Sequence, residues 1–172
     1  DANFWQAALR WTHVLFGIMW IGHLYYFNFT QIPNVPKIPE EHRGPAISKV
    51  IAPAALFWFR WGAVATLVTG FLLALNQGYL VQAYTLGAVE SFSVPKHIFI
   101  GIGMWLATIM FINVWFVIWP NQQRALNIED RFPDLSKDDR AKHARTAMLF
   151  SRTNTLLSVP MLVSMTAVQT LG

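Results

Sequence analysis

KHIFIGIGMWLATIMFINVWFVIWPN, residues 96–121, carries no formal charge between Ile98 and Trp119. About 20 consecutive apolar residues let a helix cross the hydrocarbon of a bilayer, so this stretch predicts a membrane span. Three of its features exceed what contact with lipid requires: His97 at the entrance, Gly101 and Gly103 where a second helix can come close, and Asn113 deep inside. An amide in hydrocarbon is costly unless another helix satisfies it. The span therefore predicts a bundle around it.

Composition places the whole chain in the same class. Hydrophobic residues make up 54% and charged residues 13%, against roughly 25% charged in a soluble domain. The expected fold is all-α, a polytopic membrane four-helix bundle, with one integral membrane domain over residues 1–172 and spans at about 4–30, 54–76, 95–119 and 146–170. The absence of cysteine excludes disulfides, thiolate metal sites and covalently attached c-type haem. A net charge of +4 would suggest nucleic acid in a soluble protein. Here the basic residues flank apolar segments, where topology explains them and no nucleic acid is needed. The apolar segments show no inverted repeat and no acidic residue, which argues against a transporter.

Outward from residues 96–121, the chain supplies three more segments. The first runs from Phe4 toward Pro33, which is expected to stop it; Arg10 lies within it, either snorkelling or paired with another subunit. Its opening lacks the pattern of a conventional signal peptide. Pro33, Pro36, Pro39, Pro45 and Pro53 predict a loop without a long helix. The second segment begins near Ala54, with Arg60 in a collar of Trp58, Phe59 and Trp61 and with a small-residue face of Gly62, Thr66 and Gly70. The nearly uncharged stretch 79–95 is expected to tuck against the bundle, with Ser93 capping the third helix and Pro95 in its first turn. The fourth segment follows a polar lead-in and contains Pro160, where a bend is expected. Lys and Arg concentrate in the first and third connections, so the positive-inside rule puts both on the cytoplasmic side of a bacterial inner membrane and both termini in the periplasm.

This topology sorts the polar residues into two levels. His13 and His23 are ten residues apart, about 15 Å along an ideal helix, so one iron cannot be held by both. At the outer level His13 and His97 stand on different helices, and their imidazoles offer axial ligands for haem b, the only metal centre the pattern suggests. The plainer alternative is that both rings hydrogen-bond neighbouring helices. At the inner level His23, Asn113, Arg152 and Asn154 compose a polar pocket suited to a quinone or small anion. The plainer alternative there is that Asn113 and Asn154 satisfy each other while Arg152 reaches headgroups. His42 and His143 read as ordinary loop histidines.

Four runs, LRWTHVLFGIMWIG, FWFRWGAVATLVTGF, IGMWLATIMFINVWFVIWPNQQ and SRTNTLLSVPMLVSM, resemble the membrane region of the bacterial membrane-bound urate oxidase family, in which a multi-span region precedes a c-type cytochrome domain. The opening run also resembles, more weakly, haem membrane proteins of the protoporphyrinogen oxidase type. The resemblance implies a subunit of a redox or respiratory assembly, working beside other membrane subunits or a cytochrome c. It makes His13 and His97 the matching membrane histidines and implies Asn113, Arg152 and Asn154 as family positions. The chain departs from the pattern at Thr153, where family members commonly carry histidine, and it has no CxxCH. Two readings therefore stand: a redox subunit carrying haem b, and a cofactor-free structural subunit that packs helices or binds lipid or quinone.

Overall fold

Pro45 and Pro53, which read as helix breakers, are carried inside a helix. The computed structural model describes residues 2–167. Its helices are α1 (Ala2–Tyr25), which continues through wider turns to Asn34, α2 (Glu40–Asn76), a short α3 (Leu80–Tyr84), α4 (Pro95–Leu126) and α5 (Lys137–Ala167). The first helix ends at Asn34, one residue past Pro33, and gives way to a 3-10 turn, whereas Pro45 and Pro53 lie within the unbroken α2. The expected loop over residues 31–53 is thus corrected to a helical connection interrupted only around Ile38 and Pro39. Residues 168–170 of the expected fourth span lie outside the described residues.

A local device makes this continuity feasible. Three π-helical stretches, Tyr26–Gln31, Arg43–Ile51 and Asn113–Ile118, each end two residues before a proline, at Pro33, Pro53 and Pro120. Proline brings no N–H, and its ring collides with the carbonyl four residues back. Adding a residue to the turn moves that carbonyl away and passes it to the next donor. The residue before each proline closes such a wide turn: Ile32 N–H donates to the Phe27 carbonyl, Ala52 to Ile47 and Trp119 to Val114. At two of the three sites an asparagine follows the proline and completes the repair. The Asn34 amide donates to the Thr30 carbonyl and the Asn121 amide to Val117, both at 2.7 Å.

The bundle forms as α1 packs along α2 and α5 packs along α4. Trp20 and Leu24 of α1, Phe59 of α2, and Met110 and Val114 of α4 fill the centre. From α5 the buried positions are Ala147, Ser151, Asn154, Ser158, Met161 and Ser164, spaced three or four apart, so one helical stripe points inward. Four of those six are polar. The outward faces are apolar: Trp11 is 67% exposed, Phe116 73% and Leu156 75%. By length and composition α2 and α4 are able to cross a membrane. The helices α1, with Arg10, His13 and His23, and α5, which opens on a charged turn, are less apolar.

Two sequence expectations about helix ends and collars change. Ser93 does not cap α4: its hydroxyl donates to the Glu90 carbonyl, Val94 occupies the cap position, and Pro95 follows as the first helical residue. The aromatic partners of Arg60 come from another helix. Its guanidinium lies 3.3 Å from the Trp119 ring centre and 5.5 Å from that of Trp115, while Trp58 and Trp61 face outward. That contact ties α2 to α4 by cation–π attraction. At the start of α5, the Asp139 N–H donates to the Ser136 hydroxyl, which in turn donates to the Asp139 carboxylate. This reciprocal cap is what the sequence SKDD encodes.

The stretch after α2 does tuck against the bundle, because α4 lacks a side chain where it must pass. A β-carbon at Gly101 would collide with the Ala83 carbonyl oxygen and with Leu86. Tyr84 is then held by α4, its carbonyl accepting from the Trp105 indole at 3.0 Å and its hydroxyl 3.3 Å from Thr108. Replacing Gly101 with alanine is expected to cost about 1–3 kcal/mol by forcing α3 away. Gly44→Ala, where a β-carbon meets nothing within 4 Å, is the control. Thermal unfolding in detergent checks the pair.

Candidate functional site

In an α-helix the carbonyl of residue i points toward residue i+4, whose side chain normally helps to cover it. On α2 residue 70 is glycine, so the Thr66 carbonyl is open from the side, and the His13 ring of α1 fills the opening. His13 Nδ1 lies 2.9 Å from the Thr66 oxygen and 3.3 Å from the Thr69 hydroxyl. A β-carbon on Gly70 would stand 2.7 Å from His13 Cε1. A carbonyl only accepts, so the proton is on Nδ1, and Nε2 carries the lone pair in the neutral ring. The half-buried imidazole is thereby fixed in the tautomer that suits a ligand.

His13 lines a cleft of about 680 Å³ between α1, α2, α4 and α5. Gly17 and Gly70 also line it, Gly70 beneath the His13 ring, and Met104 contributes from α4. Arg10 and Lys96 contribute cationic groups to the lining. Trp20 lines it as well; its indole N–H is buried and has no hydrogen-bond partner among the described residues. Tyr79 completes the outer part. Burial pushes its phenol above the ordinary pKa against a smaller opposing pull from Arg10, so it stays protonated at neutral pH.

His97 is not among the residues that line this cleft. Its Nδ1 lies 2.6 Å from the Glu90 carboxylate and its ring stacks on Tyr79 at 6.0 Å between centres. The two histidines of the sequence-based haem pair are therefore not brought into one lining; Glu90 and Tyr79 engage His97 at the α3–α4 connection. No three His, Asp or Glu side chains gather as a metal site among the described residues.

The inner level divides in the same way. The Asn113 amide donates to the Asn154 oxygen at 2.9 Å, and the Asn154 amide donates to the Met110 carbonyl at 2.9 Å. Asn154 is fully buried. His23 turns back to the Met19 carbonyl of its own helix at 2.7 Å, and Arg152 is exposed. The four residues of the expected polar pocket thus reduce to one interhelical pair, Asn113 with Asn154. Asn113 opens the widened turn before Pro120, so its backbone departs from ideal helix where its side chain crosses to α5. His143, read as an ordinary loop residue, sits 2.7 Å from the Asn121 oxygen.

Sequence reasoning missed Thr66 as the partner of His13 and Glu90 as the partner of His97. The signal for the first was present as Gly70 one turn beyond Thr66. It read only as a small-residue face, since a sequence does not say which ring will cover a bare carbonyl. For the second, Glu90 is seven residues from His97 across a turn with left-handed residues at Leu86, Gly87, Ser91 and Phe92, a geometry that spacing does not reveal.

A family profile described as urate oxidase N-terminal matches residues 73–169, more than half of the chain. No curated protein and no solved structure matches. The matched part contains α3, α4, α5, the Asn113–Asn154 pair, His97 and Met104; α1 with His13 precedes it. Asn154→Leu removes both bonds at the centre of the matched part and strands the Asn113 amide, a change expected to cost about 1–3 kcal/mol. Chemical denaturation of the purified protein, with Thr153→Leu on the exposed side of α5 as control, measures it.

Proposed function

The chain belongs to the urate oxidase N-terminal family, and from that premise we propose that it is the membrane part of a redox assembly related to urate oxidation, with haem b held in the His13 cleft. One observation carries this reading: His13 gives its Nδ1 proton to the Thr66 carbonyl, leaving Nε2 as a ligand nitrogen on a residue that lines a large cleft. The rest of the lining suits the group. Arg10 and Lys96 are partners for anionic propionates. Haem b would supply one-electron transfer, with its potential set by its axial ligands and surroundings. The protein's part is to fix the imidazole tautomer, exclude water with an apolar wall and neutralise the carboxylates. A cytochrome c or neighbouring membrane subunits are the proposed electron partners.

The four-span arrangement belongs to the same proposal. Its support is the polarity of the bundle: Ser151, Asn154 and Ser158 are buried on α5 while Leu156, Val159 and Val163 of the same helix are exposed, the distribution a helix needs when its surroundings are lipid. The same inversion holds for α1, where Trp11 and Ile18 face outward while half-buried His13 faces α2. In this reading both termini are periplasmic, in a bacterial inner membrane. A single cysteine at Lys49 or Ser136 is then expected to resist an impermeant thiol reagent in intact cells and to react after lysis; reaction of both in sealed cells contradicts the orientation.

The haem proposal is tested on the full chain purified from membranes supplied with haem. Pyridine haemochrome analysis is expected to find about one haem per chain, lost in His13→Ala and retained in His23→Ala. Purified protein without haem refutes the reading. In that case bound quinone in an organic extract identifies the second use of the same lining, for which the unpartnered Trp20 N–H and the His13 lone pair form a donor and acceptor pair.

A further inference from the structure

Arg60 is a cation in an apolar setting with no acidic partner among the described residues. Its Nε donates to the Leu56 carbonyl of its own helix at 3.1 Å, and its guanidinium lies 3.3 Å from the Trp119 ring centre and 5.5 Å from that of Trp115. Attraction to the two rings offsets part of the cost of taking the charge out of water, but a ring supplies neither a counter-charge nor an acceptor oxygen. The Nη groups make no hydrogen bond among the described residues, and they are not buried. A fork of N–H donors is thus held in place by Trp119 and left open to whatever surrounds the bundle.

An apolar groove begins beside that fork. Trp61, the residue after Arg60, packs its ring edge-on against Trp115 at 5.6 Å between centres. The same Trp61 lines a groove of about 340 Å³ between α1 and α2, with Phe16 and Met19 on one side and Gly62, Ala65 and Val68 on the other. The two backbones come close there because Gly62 has no side chain to hold Trp20 away. From Trp61 to Val68 the groove follows α2 for about 10 Å, leading away from the Glu40 end of the helix and, in the orientation proposed above, from the cytoplasmic surface. It shares no lining residue with the His13 cleft.

We propose that Arg60 and the groove beside Trp61 form a site for one anionic phospholipid of the cytoplasmic leaflet, its phosphate on Arg60 and one acyl chain between α1 and α2. The inference rests on the membrane reading above and not on the haem. Guanidinium, tryptophan and apolar channel follow one another along the surface in the order of a phospholipid's own parts. A phosphate accepts two parallel N–H bonds from a guanidinium, tryptophan suits the level of the headgroups, and basic pockets between helices on the cytoplasmic side take anionic headgroups. A lipid with net negative charge is favoured over a zwitterionic one, because Arg60 has no acidic neighbour to receive an ammonium group.

The test uses the full chain purified from membranes in detergent, incubated with palmitoyl-oleoyl phosphatidylglycerol or phosphatidylcholine and read by native mass spectrometry. About one phosphatidylglycerol per chain is expected to be retained, about tenfold more tightly than phosphatidylcholine, the ratio that a hydrogen-bonded contact to a charged group supplies. Arg60→Gln is expected to abolish the preference, whereas Lys49→Gln, which removes an exposed cation of the same helix, keeps it. Should Arg60→Gln fail to fold, Ala65→Phe fills the groove without touching the cation and is expected to lose the retained lipid. Glycerol phosphate, a headgroup without chains, is expected not to compete at equal concentration; competition assigns the site to free phosphate and overturns the lipid. Equal retention of the two lipids, or a preference that survives Arg60→Gln or Ala65→Phe, overturns the proposal and leaves the membrane and haem readings standing. A chain that fractionates apart from membranes refutes the membrane reading, and this one with it.

Discussion

Because the outer faces of this bundle are as apolar as its centre, hydrophobic sorting cannot by itself decide how its helices meet. Association has to come from close backbone approach and from polar contacts across the interface. Both are visible. The helices come together at Gly70 and Gly101, where the absence of a side chain exposes a carbonyl or makes room for one, and along α5 the buried stripe is mainly serine and asparagine. Tyr25 meets Ser158 at 2.9 Å, Asn28 donates to Ser151 at 2.7 Å, and Asn113 meets Asn154. The backbones of α1 and α2 come close at Gly62, against Trp20, and Gly70 uncovers the Thr66 carbonyl for the His13 ring.

Backbone satisfaction governs the helices themselves. A proline inside a helix leaves a carbonyl without its donor, and in an apolar setting that loss is not made good by water. The wide turns before Pro33, Pro53 and Pro120 reroute the bonds, and Asn34 and Asn121 supply amides for carbonyls one turn back. After Pro120-Asn121 the helix goes on to Leu126. At Asn113 this device meets the interhelical contact: the wide turn begins where the side chain crosses to Asn154, so the α4 backbone and the polar pairing are adjusted together.

Electrostatics are concentrated at the ends of the bundle. Arg60 is shared between two tryptophans of α4, which lets a cation lie against apolar helices without an acidic partner. Glu90 and His97 close the connection between α3 and α4 at the other end, beside a cleft whose lining includes Arg10 and Lys96. An anionic group in that cleft finds Arg10 and Lys96 in its lining.

The helical class and the two most apolar helices were legible from residue types alone, because a long uncharged run has few other stable uses. Individual chemistry was legible only in part. Asn113 announced that it needed a partner, and Asn154 was a candidate by type and depth, since a buried amide must be satisfied whatever the fold. The proline-rich segment was misread, because proline propensity describes an ordinary α-turn and says nothing of a turn widened by one residue. The choice between His97 and Thr66 as the companion of His13 lay wholly with the tertiary structure. His13 and Thr66 are 53 residues apart, and only the packing of α1 on α2 over a bare glycine puts the carbonyl under the ring, while a left-handed turn sends Glu90 to His97. Sequence determined which groups needed partners; the distances between helices decided which partners they found.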